Sequence, residues 1–313
     1  MDRMMTKRPL LQIGTFPAFI QEMIDAEFSC HSLAQVQEST LLQGQIRGLV
    51  TRSNYDLPDT VFGLLSNLGV IATYGVGYDK IPLALARQRG VLVSNTPGVL
   101  DGTVAELTLG LTLGLLHRIA AADRFVRASQ WPHLDFPLGT GLRGKSVGIF
   151  GLGRIGKEIA RRFQAFDVTL AYHGRTRQDL SLPYEASLAG LARQSDILVI
   201  AVPGGPNTQG VVDASVLEAL GPNGYLVNIS RGSVVDEAAL IQALEQGTIA
   251  GAALDVFQNE PNIDPRFLTL DRALLTPHVG SATFETRQAM ARLVLENLQR
   301  FFQDGTVLTP VQA

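Results

Sequence analysis

The chain has 313 residues, of which 46% are hydrophobic and 18% charged, and carries a formal net charge of −3. That length suffices for two domains of ordinary size, and the slightly acidic balance speaks against nucleic acid or an anionic membrane surface as a partner, since either calls for a basic patch. The single cysteine, Cys30, excludes an internal disulfide and fits a reducing compartment, with a buried thiol as the simplest expectation.

Arg3, Lys7 and Arg8 precede an apolar stretch over residues 10–19, but Gln12, Gly14 and Pro17 interrupt it, so no signal peptide is expected. Short apolar runs at 10–13, 29–33, 46–51, 70–73 and 91–94 read as strands, each leading into a helical or crossover pattern. Such alternation implies a parallel sheet with helices on both faces. Residues 74–79, Tyr-Gly-Val-Gly-Tyr-Asp, form a glycine-rich turn before a helix beginning near Pro82. Its free amides suit a carboxylate, and a plain strand-to-helix turn accounts for it equally well. Asn95-Thr-Pro-Gly98 closes this first unit.

Residues 101–128 follow a long helical pattern that is apolar nearly all round as far as His117 and Arg118. A helix of that kind is buried on most sides, as an inter-domain spine, a dimer surface or both. Its most apolar part, 107–116, is too short to span a bilayer, and a cytoplasmic protein is expected. After Trp131-Pro132 the alternation restarts, with strands at 146–150, 168–172, 197–202, 225–229, 251–255 and 274–275 and helices at 157–166, 187–194 and 237–245. This describes a second doubly wound unit of about six strands. An amphipathic pattern at 285–302 is expected to pack back on the first domain.

The second unit opens with Gly151-Leu152-Gly153-Arg154-Ile155-Gly156, placed between a strand and a helix. In that setting Gly151 allows a tight turn, Gly153 lets backbone amides approach a pyrophosphate, and Gly156 lets the helix pack close to the sheet. The phosphate charge then meets a helix N-terminus. NAD binding also wants an acidic residue about twenty positions later, at the end of the second strand. Here the strand ends in Tyr172-His173-Gly174-Arg175-Thr176-Arg177. Guanidinium groups at this place suit a 2′-phosphate, which favours NADP over NAD; solvated loop arginines are the other reading. Arg231, Glu260 and His278 stand at the ends of later strands, where open α/β sheets place their ligands.

Taken in order, Gly-Leu-Gly-Arg-Ile-Gly, Asn-Ile-Ser-Arg-Gly-Ser-Val-Val-Asp-Glu, Ala-Leu-Asp-Val-Phe-Gln-Asn-Glu-Pro and Thr-Pro-His-Val-Gly-Ser-Ala-Thr resemble the D-isomer-specific 2-hydroxyacid dehydrogenase family. The likeness covers almost the whole chain and includes Gly-Val-Gly-Tyr-Asp and Val104-Ala-Glu106. It implies an α/β protein of two doubly wound parallel-sheet domains with a cleft between them, a flavodoxin-like substrate domain (1–98 with 286–313) and a Rossmann NAD(P)-binding domain (99–285). It also implies a homodimer acting on a small 2-keto acid without metal.

By the same resemblance Arg231 binds the keto acid, His278 is the general acid, and Glu260 holds the other imidazole nitrogen, which should raise the His278 pKa. Val76 and Gly77 hold the substrate carboxylate, and Arg52 either faces the substrate or lies in an exposed loop. Arg154 and Ile155 lie at the pyrophosphate with Leu152, Gly153 and Gly156; His173, Gly174, Arg175 and Thr176 lie at the ribose and its phosphate. Val202, Pro203 and Thr208 border the adenosine half, while Ile229, Ser230, Asp255 and Ser281 frame the nicotinamide end, with Asp255 accepting from the carboxamide. Thr103 is placed near the phosphates.

The ending of the second strand resembles the NADPH-dependent glyoxylate/hydroxypyruvate reductase branch. Leu134 stands where that branch often carries a second tryptophan, and the segment 136–139, Phe-Pro-Leu-Gly, is similar to hydroxyphenylpyruvate reductase-like relatives. A larger keto acid, of the hydroxyphenylpyruvate or 2-ketogluconate type, is therefore an alternative substrate. A NADP(H)-sensing interaction protein on the same fold is an alternative of another class.

Overall fold

The structure, a computed structural model, describes residues 7–311, so Arg3 of the N-terminal basic group lies outside the described residues. The chain divides into Met1–Leu100 with Ser281–Ala313 and, as a second unit, Asp101–Gly280. The chain thus changes unit after Leu100 and after Gly280, against the expected 98 and 285.

In the first unit β1 (Arg8–Gln12), β2 (Phe28–Ser32), β3 (Gly48–Arg52), β4 (Val70–Tyr74) and β5 (Leu92–Ser94) make one parallel sheet in the order β2-β1-β3-β4-β5. The connecting helices are α1 (Ala18–Glu27), α2 (Leu33–Gln37), α3 (Thr40–Gln45), α4 (Thr60–Leu64) and α5 (Leu83–Gln88). Every residue of β4 is buried, and in β3 all but Arg52, as a central strand covered on both faces requires. At the sheet edge β2 reads Phe-Ser-Cys-His-Ser and is only partly covered. Cys30 is therefore half-buried; burial, and then the neighbouring Asp25, push its thiol up to about 12, the mark of an unreactive sulfur.

The second unit begins with α6 (Asp101–Leu116) and α7 (Ile119–Arg127). The single long helix expected over 101–128 is broken at Arg118, which takes the left-handed conformation with φ 56°. The Leu116 carbonyl freed by the break accepts the Thr140 amide at 2.9 Å. Burial follows the same division: α6 is packed against α8 and the sheet, whereas α7 buries no residue. The alternation continues with β6 (Ser146–Phe150), α8 (Arg154–Phe163), β7 (Thr169–His173), α9 (Leu188–Arg193), β8 (Ile197–Ile200), α10 (Ala214–Leu220), β9 (Tyr225–Asn228), α11 (Glu237–Gln246), β10 (Gly251–Leu254) and β11 (Ala273–Leu275).

These strands form a parallel sheet in the order β11-β10-β9-β8-β6-β7. Beyond β7 an isolated parallel bridge joins Tyr172 to Tyr184, all that the segment after β7 contributes to the sheet. The direction in which strands are added reverses between β6 and β8, and the crevice beyond their carboxyl ends is where such sheets bind ligands. Finally α12 (Phe284–Asp304), capped by the Thr283 hydroxyl, packs on α1 and β4 of the first unit. Among the described residues no single helix is long and apolar enough to cross a membrane.

Candidate active site

The glycine turn joins β6 to α8, which starts at Arg154 because Gly153 is its N-cap. Each glycine meets a different constraint. Gly151 has φ 102°, a region that L side chains rarely enter, and a Cβ there would lie 2.8 Å from the Ala201 carbonyl. At Gly156 a Cβ would come within 2.1 Å of the Gly151 oxygen, so the helix can sit this close to the turn only without a side chain. Gly153 differs, since nothing lies within 4 Å of its would-be Cβ. That open face, over a helix start with no side-chain cap, fits the phosphates of a dinucleotide.

After β7 the chain carries His173, Gly174, Arg175, Thr176 and Arg177, of which the last three are exposed. The segment is fastened on both sides. The Tyr172 hydroxyl accepts the Gln178 amide at 2.7 Å, and the Gln178 side chain donates to the Leu152 carbonyl at 2.7 Å, tying the arginine-bearing turn to the glycine turn. His173 stacks on Phe150 with ring centres 5.5 Å apart, and its Nδ1 donates to the Glu185 carbonyl at 2.8 Å. A carbonyl only accepts, so that bond fixes the proton on Nδ1. Arg175 and Arg177 have no ion-pair partner among the described residues.

The second unit brings Arg231, Glu260 and His278 together. Arg231 follows β9, and its guanidinium donates to the Ser230 carbonyl at 2.8 Å. Its neighbour Gly232 lies so close to the backbone of Phe257 that a Cβ would come within 1.9 Å of the Phe257 carbonyl carbon, which explains the Arg-Gly pair. Glu260 accepts the Phe257 amide at 2.9 Å on one oxygen and His278 Nδ1 at 2.6 Å on the other. Burial disfavours the Glu260 charge, but His278, the Phe257 amide and the Arg231 charge outweigh it and hold its pKa below the usual carboxylate range. The carboxylate is ionised, Nδ1–H donates to it, and Nε2 is the nitrogen left to exchange a proton.

His278 has φ 52°, the left-handed region, which costs a non-glycine residue energy that its surroundings must supply. They do so through Asp255 at the end of β10. This buried carboxylate accepts the Val279 amide at 2.8 Å, the Gly280 amide at 2.8 Å and the Thr276 hydroxyl at 2.7 Å. Burial pushes the Asp255 pKa up against the pull of these bonds and of His278. Asp255 thus clasps the turn on both sides of His278, a role that sequence reasoning missed because the motif holding Thr276, Val279 and Gly280 does not show which distant side chain they bond.

Of the remaining expected residues, several follow strands of the second sheet directly. Val202 and Pro203 follow β8, and Thr208 closes that loop by donating to the Pro203 carbonyl at 2.7 Å. Ile229 and Ser230 are buried after β9, Ser230 being held by the Asn228 side chain. Thr103 lies in the first turn of α6, and Ser281 opens the segment that returns to the first unit.

In the first unit Val76 and Gly77 follow β4. The Val76 carbonyl accepts the Asn95 side chain at 2.8 Å, and the Gly75 carbonyl accepts the Thr96 amide at 2.9 Å. Gly75, with φ 147°, leaves no room for a Cβ beside the Ser53 hydroxyl. The turn is therefore rigid, and the amides of Val76 and Gly77 find no acceptor among the described residues, which suits them to an anion.

The Glu260–His278 bond has a pH signature. A carboxylate with a lowered native pKa stabilises the fold fully above its unfolded-state value, and this contribution disappears as the pH falls through the lower native one. In thermal melts the stability difference between wild type and Glu260→Gln is expected to be constant above about pH 5.5 and to shrink below pH ~4.5. A difference that stays unchanged down to pH 3 would show that the ionised pair contributes nothing.

Comparison with known proteins finds relatives along nearly the whole chain. Residues 109–280 match the family model for the D-isomer specific 2-hydroxyacid dehydrogenase, NAD binding domain. A 2-ketogluconate reductase of Gluconobacter oxydans is 42% identical over 98% of this chain and 100% of its own length. A glyoxylate/hydroxypyruvate reductase A of Arabidopsis thaliana is 44% identical over 88% of this chain and 89% of its own. The crystal structure of an NADPH-dependent glyoxylate/hydroxypyruvate reductase from Sinorhizobium meliloti, in complex with NADP and malonate, superposes with a TM-score of 0.92 at 42% identity, covering 97% of each chain.

Proposed function

Since the chain belongs to the D-isomer specific 2-hydroxyacid dehydrogenase family, we propose that it reduces a small 2-keto acid, of the glyoxylate or hydroxypyruvate kind, to the D-2-hydroxy acid with NADPH. The nicotinamide nucleotide, when bound, supplies the hydride. The protein's part is to hold the keto acid and deliver a proton. Arg231, a planar fork of donors, orients the substrate and polarises its carbonyl. His278 Nε2 gives its proton to the carbonyl oxygen as negative charge develops there, and the Glu260 carboxylate on Nδ1 keeps the ring aligned. The amides of Val76 and Gly77 are assigned to the substrate carboxylate.

The observation that carries this reading is the 2.6 Å bond from His278 to Glu260 beside the Arg231 charge. Purified protein should oxidise NADPH when given hydroxypyruvate or glyoxylate. Tight NADPH binding with no turnover across a panel of 2-keto acids would instead favour a NADP(H)-sensing interaction protein. The Gluconobacter relative, a 2-ketogluconate reductase, supports a larger keto acid as the second reading.

NADP is preferred in this proposal because β7 ends without a carboxylate and is followed by Arg175 and Arg177. Arg175→Asp is expected to weaken NADPH by about 10- to 100-fold while leaving NADH within a few-fold, as loss of one charge-assisted contact would. An unchanged ratio of the two dissociation constants would remove the phosphate clamp. A homodimer and a cytoplasmic location remain part of the proposal. For the dimer, the support is a run of exposed large apolar side chains, Ile119, Val126, Trp131, Leu134 and Leu138.

A further inference from the structure

The first unit holds a second basic group that the steps above do not use. Arg52 ends β3, and Arg287 lies in the first turn of α12. The Arg287 guanidinium lies 5.7 Å from the centre of the Tyr74 ring, and the Tyr74 hydroxyl donates to the Arg287 carbonyl at 3.1 Å. Arg52 donates to the Thr15 carbonyl at 3.0 Å and stands 5.8 Å from the centre of the Tyr55 ring. Both arginines are half-buried, and among the described residues no carboxylate pairs with either. Arginines are rarely desolvated side by side without a counter-charge, since each raises the cost of the other. Burial and the Arg287 charge together draw the Arg52 pKa down, so the two groups do act on one another.

Their location is that of a ligand site. The order β2-β1-β3-β4-β5 reverses direction between β1 and β3, and open α/β sheets bind ligands beyond the carboxyl ends of such neighbouring strands. Arg52 stands at that end of β3, and Thr15, to which it bonds, follows β1. In the β3–β4 register Arg52 lies opposite Tyr74, the residue that leads into Gly75, Val76 and Gly77. A guanidinium pair therefore adjoins the turn whose two amides are assigned to the substrate carboxylate. Glyoxylate and hydroxypyruvate have nothing further to offer these charges.

We propose that Arg52 and Arg287 form a subsite for a second anionic group, so that the preferred substrate is a 2-keto acid bearing a carboxylate or phosphate at the end remote from its keto group. The proposal rests on the keto-acid reductase reading and names the substrate class of that same site. Arg52 supplies the planar fork and Arg287 the second charge; the tyrosine rings beside them exclude water and so strengthen the attraction.

The test compares kcat/KM, with NADPH saturating, within pairs of keto acids of similar size: 2-oxoglutarate against its 5-amide, oxaloacetate against 2-oxobutyrate, and 3-phosphohydroxypyruvate against hydroxypyruvate. The anionic member of at least one pair is expected to be favoured by about 10- to 100-fold, chiefly through KM, as a desolvated charge-assisted contact gives. The pair with the larger ratio tells carboxylate from phosphate. In Arg52→Gln and Arg287→Gln that ratio should fall towards one, whichever way total activity moves. Ratios near one in all three pairs of the wild-type enzyme would overturn the subsite while leaving the reductase intact, and so would a preference that both variants retain. No turnover of any keto acid would instead overturn the reductase reading, and the subsite with it.

Discussion

Replacing His278 by asparagine is expected to lower kcat by about three orders of magnitude, the usual contribution of a positioned general acid, or roughly 4 kcal/mol of transition-state stabilisation. Asparagine is the informative substitution. The residue sits at φ 52°, where alanine would add strain of its own, whereas asparagine enters the left-handed region readily and its amide has no proton to transfer at neutral pH. Single-turnover rates at saturating NADPH and hydroxypyruvate isolate the chemical step, and a melting curve shows that the fold persists. A rate within tenfold of wild type would mean that another group protonates the carbonyl.

The other large effect is expected at Arg231. Lysine keeps the charge but loses the planar fork, so Arg231→Lys should lower kcat/KM by about 100- to 1,000-fold, with kcat falling as well as KM rising. That split matters, because a residue that merely anchored the ground state would raise KM and leave kcat alone. The Arg231 charge also helps to keep Glu260 ionised, and because lysine retains that charge the substitution tests the fork geometry by itself. If lysine serves as well as arginine, the fork geometry has no role.

Much of this architecture was legible in the chain itself. Alternating apolar runs and helical patterns locate both parallel sheets, because strands covered on two faces must be apolar almost throughout, as β4 and β8 are. The glycine turn was readable for a similar reason: Gly151 and Gly156 are each required by a backbone contact that admits no side chain. What stayed hidden depends on contacts between residues distant in sequence. Nothing local reveals that Arg118 turns left-handed and leaves α7 without a buried face. Arg287 looks like any solvated position of an amphipathic helix until α12 is laid against β4. The same holds for the three hydrogen bonds that Asp255 accepts from Thr276, Val279 and Gly280.

The single bridge between Tyr172 and Tyr184 has a consequence for how cofactor choice can change. Residues 174–183 form no regular strand or helix, and Arg175, Thr176 and Arg177 are exposed. The Tyr172 hydroxyl and the Gln178 side chain hold the turn in place from outside those three positions. Substitutions there meet neither the sheet nor the packed interior, so if these residues face the 2′-phosphate as proposed, drift between the two nicotinamide nucleotides can proceed by single steps, each neutral for folding. A recombined segment spanning these positions should be transferable between relatives as a cassette, with the tyrosine and the glutamine as its fixed ends.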